Sequence, residues 1–214
     1  MGENKFPSQL DHLNKTFLEE LSYKLWVTKG SRFHANKRLL AKNDWSNKSN
    51  GFLSAYLIVL GLVSVYQISM THLISPNFIA FASTAISIML LAFSQMEAAQ
   101  DYKTRAHNHL HCSLEVSKLY NELRIFKTME SPSDDDKIQF CKQLSKEYQS
   151  ILDKYPNHET IDFSMFQTGN INYFKLSWFD VQTIFLNYYY KTTLLYHILI
   201  ALPIFSIIIA MFTM

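Results

Sequence analysis

The chain has 214 residues and a mass of 25.0 kDa, enough for one ordinary domain, yet only 18% of it is charged against roughly 25% in a soluble domain. Residues 51–96 and 192–214 contain no Asp, Glu, Lys or Arg, so all 20 basic and 18 acidic side chains lie in 1–50 and 97–191; a soluble core does not sort its charges so completely, and the pattern reads as a membrane protein. Five Gly and five Pro exclude collagen-like and low-complexity classes, two Cys are too few for a disulfide framework, and a formal charge of +2 is too small to suggest direct nucleic-acid binding by the whole chain.

The first segment, 1–50, reads as a helical cytoplasmic region. Leu10, Leu13, Phe17, Leu21 and Leu25 recur at steps of three and four over a helix spanning 10–42. Gly30 is expected to break it. Beyond Gly30, Arg32, Lys37, Arg38 and Lys42 form a basic stretch that leads to Trp45. The plainer reading of that stretch is a solvated face near anionic headgroups; the sharper one is a pocket for a phosphate-bearing signal or nucleic acid.

Residues 51–96 predict a transmembrane hairpin, since a bilayer core of about 30 Å takes roughly 20 helical residues. Its spans run from Gly51 to about Met70 and from about Asn77 to Met96, with Pro76 suited to the first turn of the second. Every Lys and Arg lies outside the hairpin and its loop, which by the positive-inside rule places 1–50 and 97–191 together in the cytoplasm. Fifty mostly polar residues ahead of the first span argue against a signal peptide, and Phe6 argues against N-myristoylation. Cytoplasmic placement implies that Cys112 and Cys141 are reduced thiols.

The cytoplasmic region 97–191 opens with Ala99, Tyr102, Ala106, His109, Ser113, Val116, Tyr120 and Leu123 at alternating steps of three and four. That spacing predicts a rigid continuation of the second span whose heptad-like seam could join copies of the chain. Ser133 followed by Asp134, Asp135 and Asp136 predicts a capped helix start, with an apolar stripe from Ile138 through Cys141, Leu144, Tyr148 and Ile151 to Tyr155. Pro156 closes it, a connector containing Gly169 follows, and Ser177 to Asp180 resembles a capping box. The last segment, 192–214, predicts a third span kinked at Pro203, behind the Tyr188-Tyr189-Tyr190-Lys191 cluster expected at a membrane boundary. No stretch alternates like a strand, so the fold class is all-α: an integral membrane hairpin with helical extensions and a third C-terminal span.

The chemistry-bearing residues are few. His107 and His111 are four apart and share a helix face, which suits two zinc ligands, but no third ligand is evident and an ordinary helix face explains them better. No nucleophile elbow, phosphate-binding glycine loop or metalloprotease motif is present, so no catalytic residue, enzyme activity or cofactor is expected. Ser83, Thr84, Ser87 and Ser94 place hydroxyls near one face of the second span. Such a stripe either packs helices closely or, in an oligomer, lines a narrow aqueous path; the packing reading is the simpler. A constitutive channel or transporter usually carries intramembrane charges, and here there are none.

In arrangement the chain resembles the SLATT family, prokaryotic membrane proteins with an N-terminal helix, a two-span hairpin and a helical extension. The residues that carry the resemblance are Trp26 to Arg32 with Ala35, Arg38 and Leu39, then Tyr102 to Ala106, Leu119 to Leu123, and Asn157 to Phe163, the last like the motif of a subfamily with an added C-terminal span. The resemblance implies a homo-oligomeric effector of bacterial antiphage defence in the inner membrane, forming a pore or disrupting the bilayer in abortive infection. It also implies a trigger from a partner, which includes a nucleotidyltransferase, a sensor or a reverse transcriptase among the candidates. The alternative role is a non-conducting anchor that localises such a partner.

Overall fold

The computed structural model describes residues 15–66, 76–129 and 132–212. Among them the chain is helical throughout, with α1 (Phe17–Tyr66), α2 (Pro76–Ala98), α3 (Tyr102–Lys127), α4 (Asp134–Lys154), α5 (Thr160–Thr168), α6 (Ile171–Phe174), α7 (Trp178–Thr192) and α8 (Leu194–Phe212). The all-α expectation holds. The expected hairpin loop falls largely on 67–75, outside the described residues.

The chain divides into two compact units: Met1–Arg38 with Thr104–Asn187, and Leu39–Lys103 with Tyr188–Met214. In the first unit, Leu21 and Leu25 of α1, Cys112, Val116, Leu119 and Leu123 of α3, and Leu144 and Ile151 of α4 form one buried cluster. Small side chains bring α1 and α3 close together: Ser31, Ala35, Ala106 and Ser113 are fully buried. The Ser113 hydroxyl donates to the Lys29 carbonyl at 2.8 Å, and the Asn36 amide to the Ala106 carbonyl at 2.9 Å. The caps of α4 and α7 follow the sequence reading. The Asp136 N–H donates to Ser133 Oγ at 3.1 Å and the Asp180 N–H to Ser177 Oγ at 3.2 Å, each reciprocated by the carboxylate.

Three expectations change. Gly30 does not break α1, which runs unbroken for 50 residues. Its missing side chain instead admits the Phe166 ring of α5, which occupies the space a Cβ would need. The second span does not continue directly into α3, because the backbone turns between Ala98 and Tyr102, where Asp101 takes the left-handed region at φ 45°. Asp tolerates that region better than most residues, so it ends a helix where Gly is more usual. Finally, the α3 seam is not a free surface for oligomerisation: Ala106, His109, Ser113, Val116 and Leu123 are buried within their own unit. Heptad spacing identifies a face that must be covered, and here α1 and α4 cover it.

The second unit packs α8 beside α1 and the end of α2. Tyr196 donates to Glu97 Oε2 at 2.7 Å, and the edge of His197 meets Trp45 at 4.1 Å. The Tyr56 hydroxyl donates to the Ile200 carbonyl at 3.1 Å. Pro203 lacks the N–H that would donate to the Leu199 carbonyl, one residue before the one Tyr56 reaches. One helical stretch among the described residues is long and apolar enough to cross a membrane. Its apolar window begins in α2, and none of that window is buried within the chain.

Candidate functional site

The first unit holds two arginines that are almost completely buried, Arg32 and Arg38, each 1% exposed. They lie six residues apart on α1, and a buried guanidinium is tolerated only when its donors are claimed. Arg38 is claimed by the start of α5. Its Nε donates to Asp162 Oδ1 at 2.7 Å and its Nη2 to Oδ2 at 3.0 Å, a two-pronged pairing that matches the planar fork to the carboxylate. Nη2 also lies 3.0 Å from Glu159, whose side chain is half exposed. Asp162 is fully buried and accepts the Glu159 N–H at 3.0 Å, so the carboxylate that holds Arg38 also caps α5.

Arg32 is claimed by the chain just ahead of α5. Nη1 donates to the Pro156 carbonyl and sits 3.2 Å from His109 Nδ1, and Nη2 donates to Asn157 Oδ1 at 3.3 Å. Arg32 Nε, Arg38 Nη1 and His158 Nδ1 find no partner among the described residues. Burial works against the Arg38 charge, but the Asp162 hydrogen bonds and the charges of Asp162 and Glu159 outweigh it and raise the pKa. Burial, followed by the Arg32 guanidinium, pushes His109 down to about 4. His158 is lowered by the same two causes. At neutral pH the imidazoles of His109 and His158 are therefore neutral, beside a charged Arg38. The centre works as an electrostatic clamp, fastening the 156–162 segment to α1 and α3.

An aromatic cluster reinforces the clamp. Trp26 meets Phe166 at 4.8 Å and Tyr173 at 5.0 Å, both edge to face, and stacks over Phe174 at 6.0 Å. Such contacts add about 0.5–1.5 kcal/mol each beyond area burial.

The basic stretch separates in the structure. Arg32 and Arg38 are interior, Lys37 is exposed, and Lys42 is half-buried with its ammonium 5.7 Å from the Tyr102 ring. Sequence reasoning missed the acidic and imidazole partners of the arginines. The Asn157 to Phe163 motif contains two of them, Glu159 and Asp162, and His109 lies on the heptad seam, but nothing in the linear pattern joins positions 77 to 124 residues apart. His107 and His111 share a face with rings 5.3 Å apart, and no cluster of three metal-binding side chains occurs among the described residues. Cys112 and Cys141 are free thiols, both raised in pKa by burial. In α2 the hydroxyls bond within their own helix: Ser83 and Thr84 donate to the Ala80 carbonyl at 2.9 Å, and Ser87 to the Ser83 carbonyl at 2.7 Å. Ser94 is half-buried. A cleft of about 890 Å³ beside Phe17, Lys142, Lys146 and Lys154 was also not foreseen.

No curated protein and no solved structure matches this chain. A family model does: the one described as SMODS and SLOG-associating 2TM effector domain family 5 matches residues 14–209. The matched stretch takes in both arginines, their partners on α3 and α5, and the helices of the apolar unit, so the chain belongs to SLATT family 5, a family of defence-associated membrane effectors.

Proposed function

We propose that this effector acts without catalysis, as a homo-oligomer that opens a pore in, or disrupts, the bacterial inner membrane when infection is sensed, so that the infected cell dies. In this reading the N-terminus and the clamp unit are cytoplasmic, and the chain crosses the membrane more than once. The observation that carries it is the unburied apolar window beginning in α2. In a membrane effector, a helix that its own chain leaves uncovered must be covered by lipid or by other copies. Hydroxyls that donate within their own helix keep oxygen lone pairs available to water or ions in a shared lumen.

A trigger must bind the open and closed states differently, or it shifts nothing. The clamp unit, with the 10–42 and 97–160 stretches, is the part we assign to a partner, whether a nucleotidyltransferase, a sensor or a reverse transcriptase encoded nearby. The test reconstitutes the full chain in anionic vesicles loaded with dye, together with the products of its neighbouring genes. Leakage is expected, and vesicles that stay tight under conditions that kill expressing cells would refute the pore. Changing Ser83, Thr84, Ser87 and Ser94 together to Ala separates the pore from the anchor, because a pore loses leakage and an anchor keeps its defence phenotype.

A further inference from the structure

We propose that the groove between α1, α3 and α6 binds single-stranded nucleic acid, with bases on Tyr23 and Tyr173 and phosphates on Arg124 and Lys127. The site lies wholly within the first unit and does not depend on the chain opening a pore. A formal charge of +2 averages over the whole chain and hides it. Arg32 and Arg38, the arginines of the basic stretch, are interior and reach no outside phosphate; the cations of this groove do.

On α3, Tyr120, Arg124 and Lys127 follow at steps of four and three and share a face. Across the groove α1 places Tyr23, Trp26 and Lys29 at steps of three, and the Lys29 ammonium sits 4.3 Å from the centroid of the Tyr120 ring. A hollow of about 300 Å³ lies here, with Tyr23, Trp26, Tyr120, Lys127 and Tyr173 among its walls. Tyr173 also walls a second hollow of about 510 Å³, beside Asn170 and Asn172. Both fall within the roughly 300–1,000 Å³ of small-ligand sites. With Tyr173 between them, a strand can lay one nucleotide in each.

Charge and ring faces select the occupant. Burial and then the charge of Arg124 press the Lys29 pKa down, so these two cations stand close together. None of Lys29, Arg124 and Lys127 forms an ion pair among the described residues. The carboxylate on the wall of the first hollow, Glu19, is already engaged in capping α1: it accepts the Thr16 N–H at 3.1 Å and the Thr16 hydroxyl at 3.0 Å. Like charges gathered without counter-charges repel, and a phosphate backbone offsets that. The rings of Tyr23 and Tyr173 lie 23° from parallel with centroids at 6.3 Å, and they remain 40% and 58% exposed. Trp26 meets Tyr173 edge to face at 5.0 Å and stacks over Phe174, which fixes the platform before anything binds. Exposed rings bordered by cations suit unstacked bases of any sequence, since every base has a π-face. Asn172 is exposed, and the Asn170 amide, which donates to the Phe166 carbonyl at 3.1 Å, keeps its oxygen for a base edge. An anionic lipid headgroup satisfies the cations but leaves the rings without a partner.

The test is fluorescence anisotropy of a short labelled oligouridine with the full-length chain in neutral detergent. Binding is expected, weakening with salt along a log–log slope of about −2, as for three phosphates of a single strand. Tyr173→Ala is expected to weaken binding by about tenfold or more, with Tyr173→Phe close to wild type. Arg124→Gln with Lys127→Gln, at exposed positions, should weaken it and flatten the slope to about −0.7. Lys142→Gln with Lys146→Gln, in the cleft beside Phe17, should leave it unchanged. All variants are expected to keep wild-type helical circular dichroism. No binding at low salt, or an equal loss in the Lys142 and Lys146 variant, would overturn the site. Loss in the Arg124 and Lys127 variant with none in Tyr173→Ala would identify a surface for charge alone, such as headgroups take, and would also overturn it. AMP competing mole for mole with the oligouridine would overturn a strand as the occupant. Tight vesicles with strand binding sink the pore alone, whereas leaking vesicles without strand binding sink this site alone.

Discussion

Asp162→Asn is the most direct test of the clamp. The substitution keeps the side chain's size but removes the charge opposite Arg38 and turns one acceptor into a donor. Arg38 then keeps its charge at 1% exposure with one prong of its fork facing an amide, and its other carboxylate, Glu159, is half in water. Breaking a buried pair from one side costs about 3–5 kcal/mol, because the remaining ion is desolvated and unpaired. The exposed Glu159 arm recovers little of this, since such contacts contribute about 0–1 kcal/mol. Urea unfolding of the full chain in detergent, followed by tryptophan fluorescence, is expected to show that loss; Trp26 reports directly on the clamp unit through its packing on Phe166. Replacing both partners by apolar residues, as in Arg38→Met with Asp162→Leu, is expected to recover most of it, because no buried charge remains. A single variant within about 1 kcal/mol of wild type would refute the reasoning.

Two further outcomes follow from the same unit. Gly30→Ala places a methyl group against the Phe166 ring and is expected to cost about 1–3 kcal/mol by overpacking, whereas Gly51→Ala, inside the same helix with nothing within 4 Å, is expected to stabilise by up to about 1 kcal/mol in the same assay. His109 stays neutral in the folded chain down to about pH 4 but takes up a proton near its ordinary 6.5 when unfolded. Stability is therefore full above that value and falls as pH drops toward 4, by on the order of 3 kcal/mol across the window. His109→Gln should flatten that slope, and identical pH profiles for the variant and the wild type would count against it.

Element type was largely readable from local pattern. The caps at Ser133 and Ser177, the helix start at Pro76 and the stripe on α4 each depend on residues within a turn or two of one another, where short-range sterics and hydrogen bonding decide. Gly30 shows the limit of that reasoning. Glycine lowers helix propensity by roughly 1 kcal/mol, so local reasoning ends the helix there, but a ring from α5 needs the vacant space and the helix continues. The basic stretch shows another limit. Four cations on one segment look alike in the linear chain, and burial of two of them depends on carboxylate, carbonyl and imidazole partners far away in sequence.

By itself the sequence determined that the chain is helical and that its charges are excluded from two long stretches, because helical periodicity and the cost of placing ions in hydrocarbon act locally along the chain. Only the tertiary structure decided what each face touches. The heptad of α3 turned inward onto α1 and α4, and Arg38 met Asp162 across 124 positions. A periodic apolar pattern states that a face must be covered, while the partner that covers it depends on the packing of the whole chain.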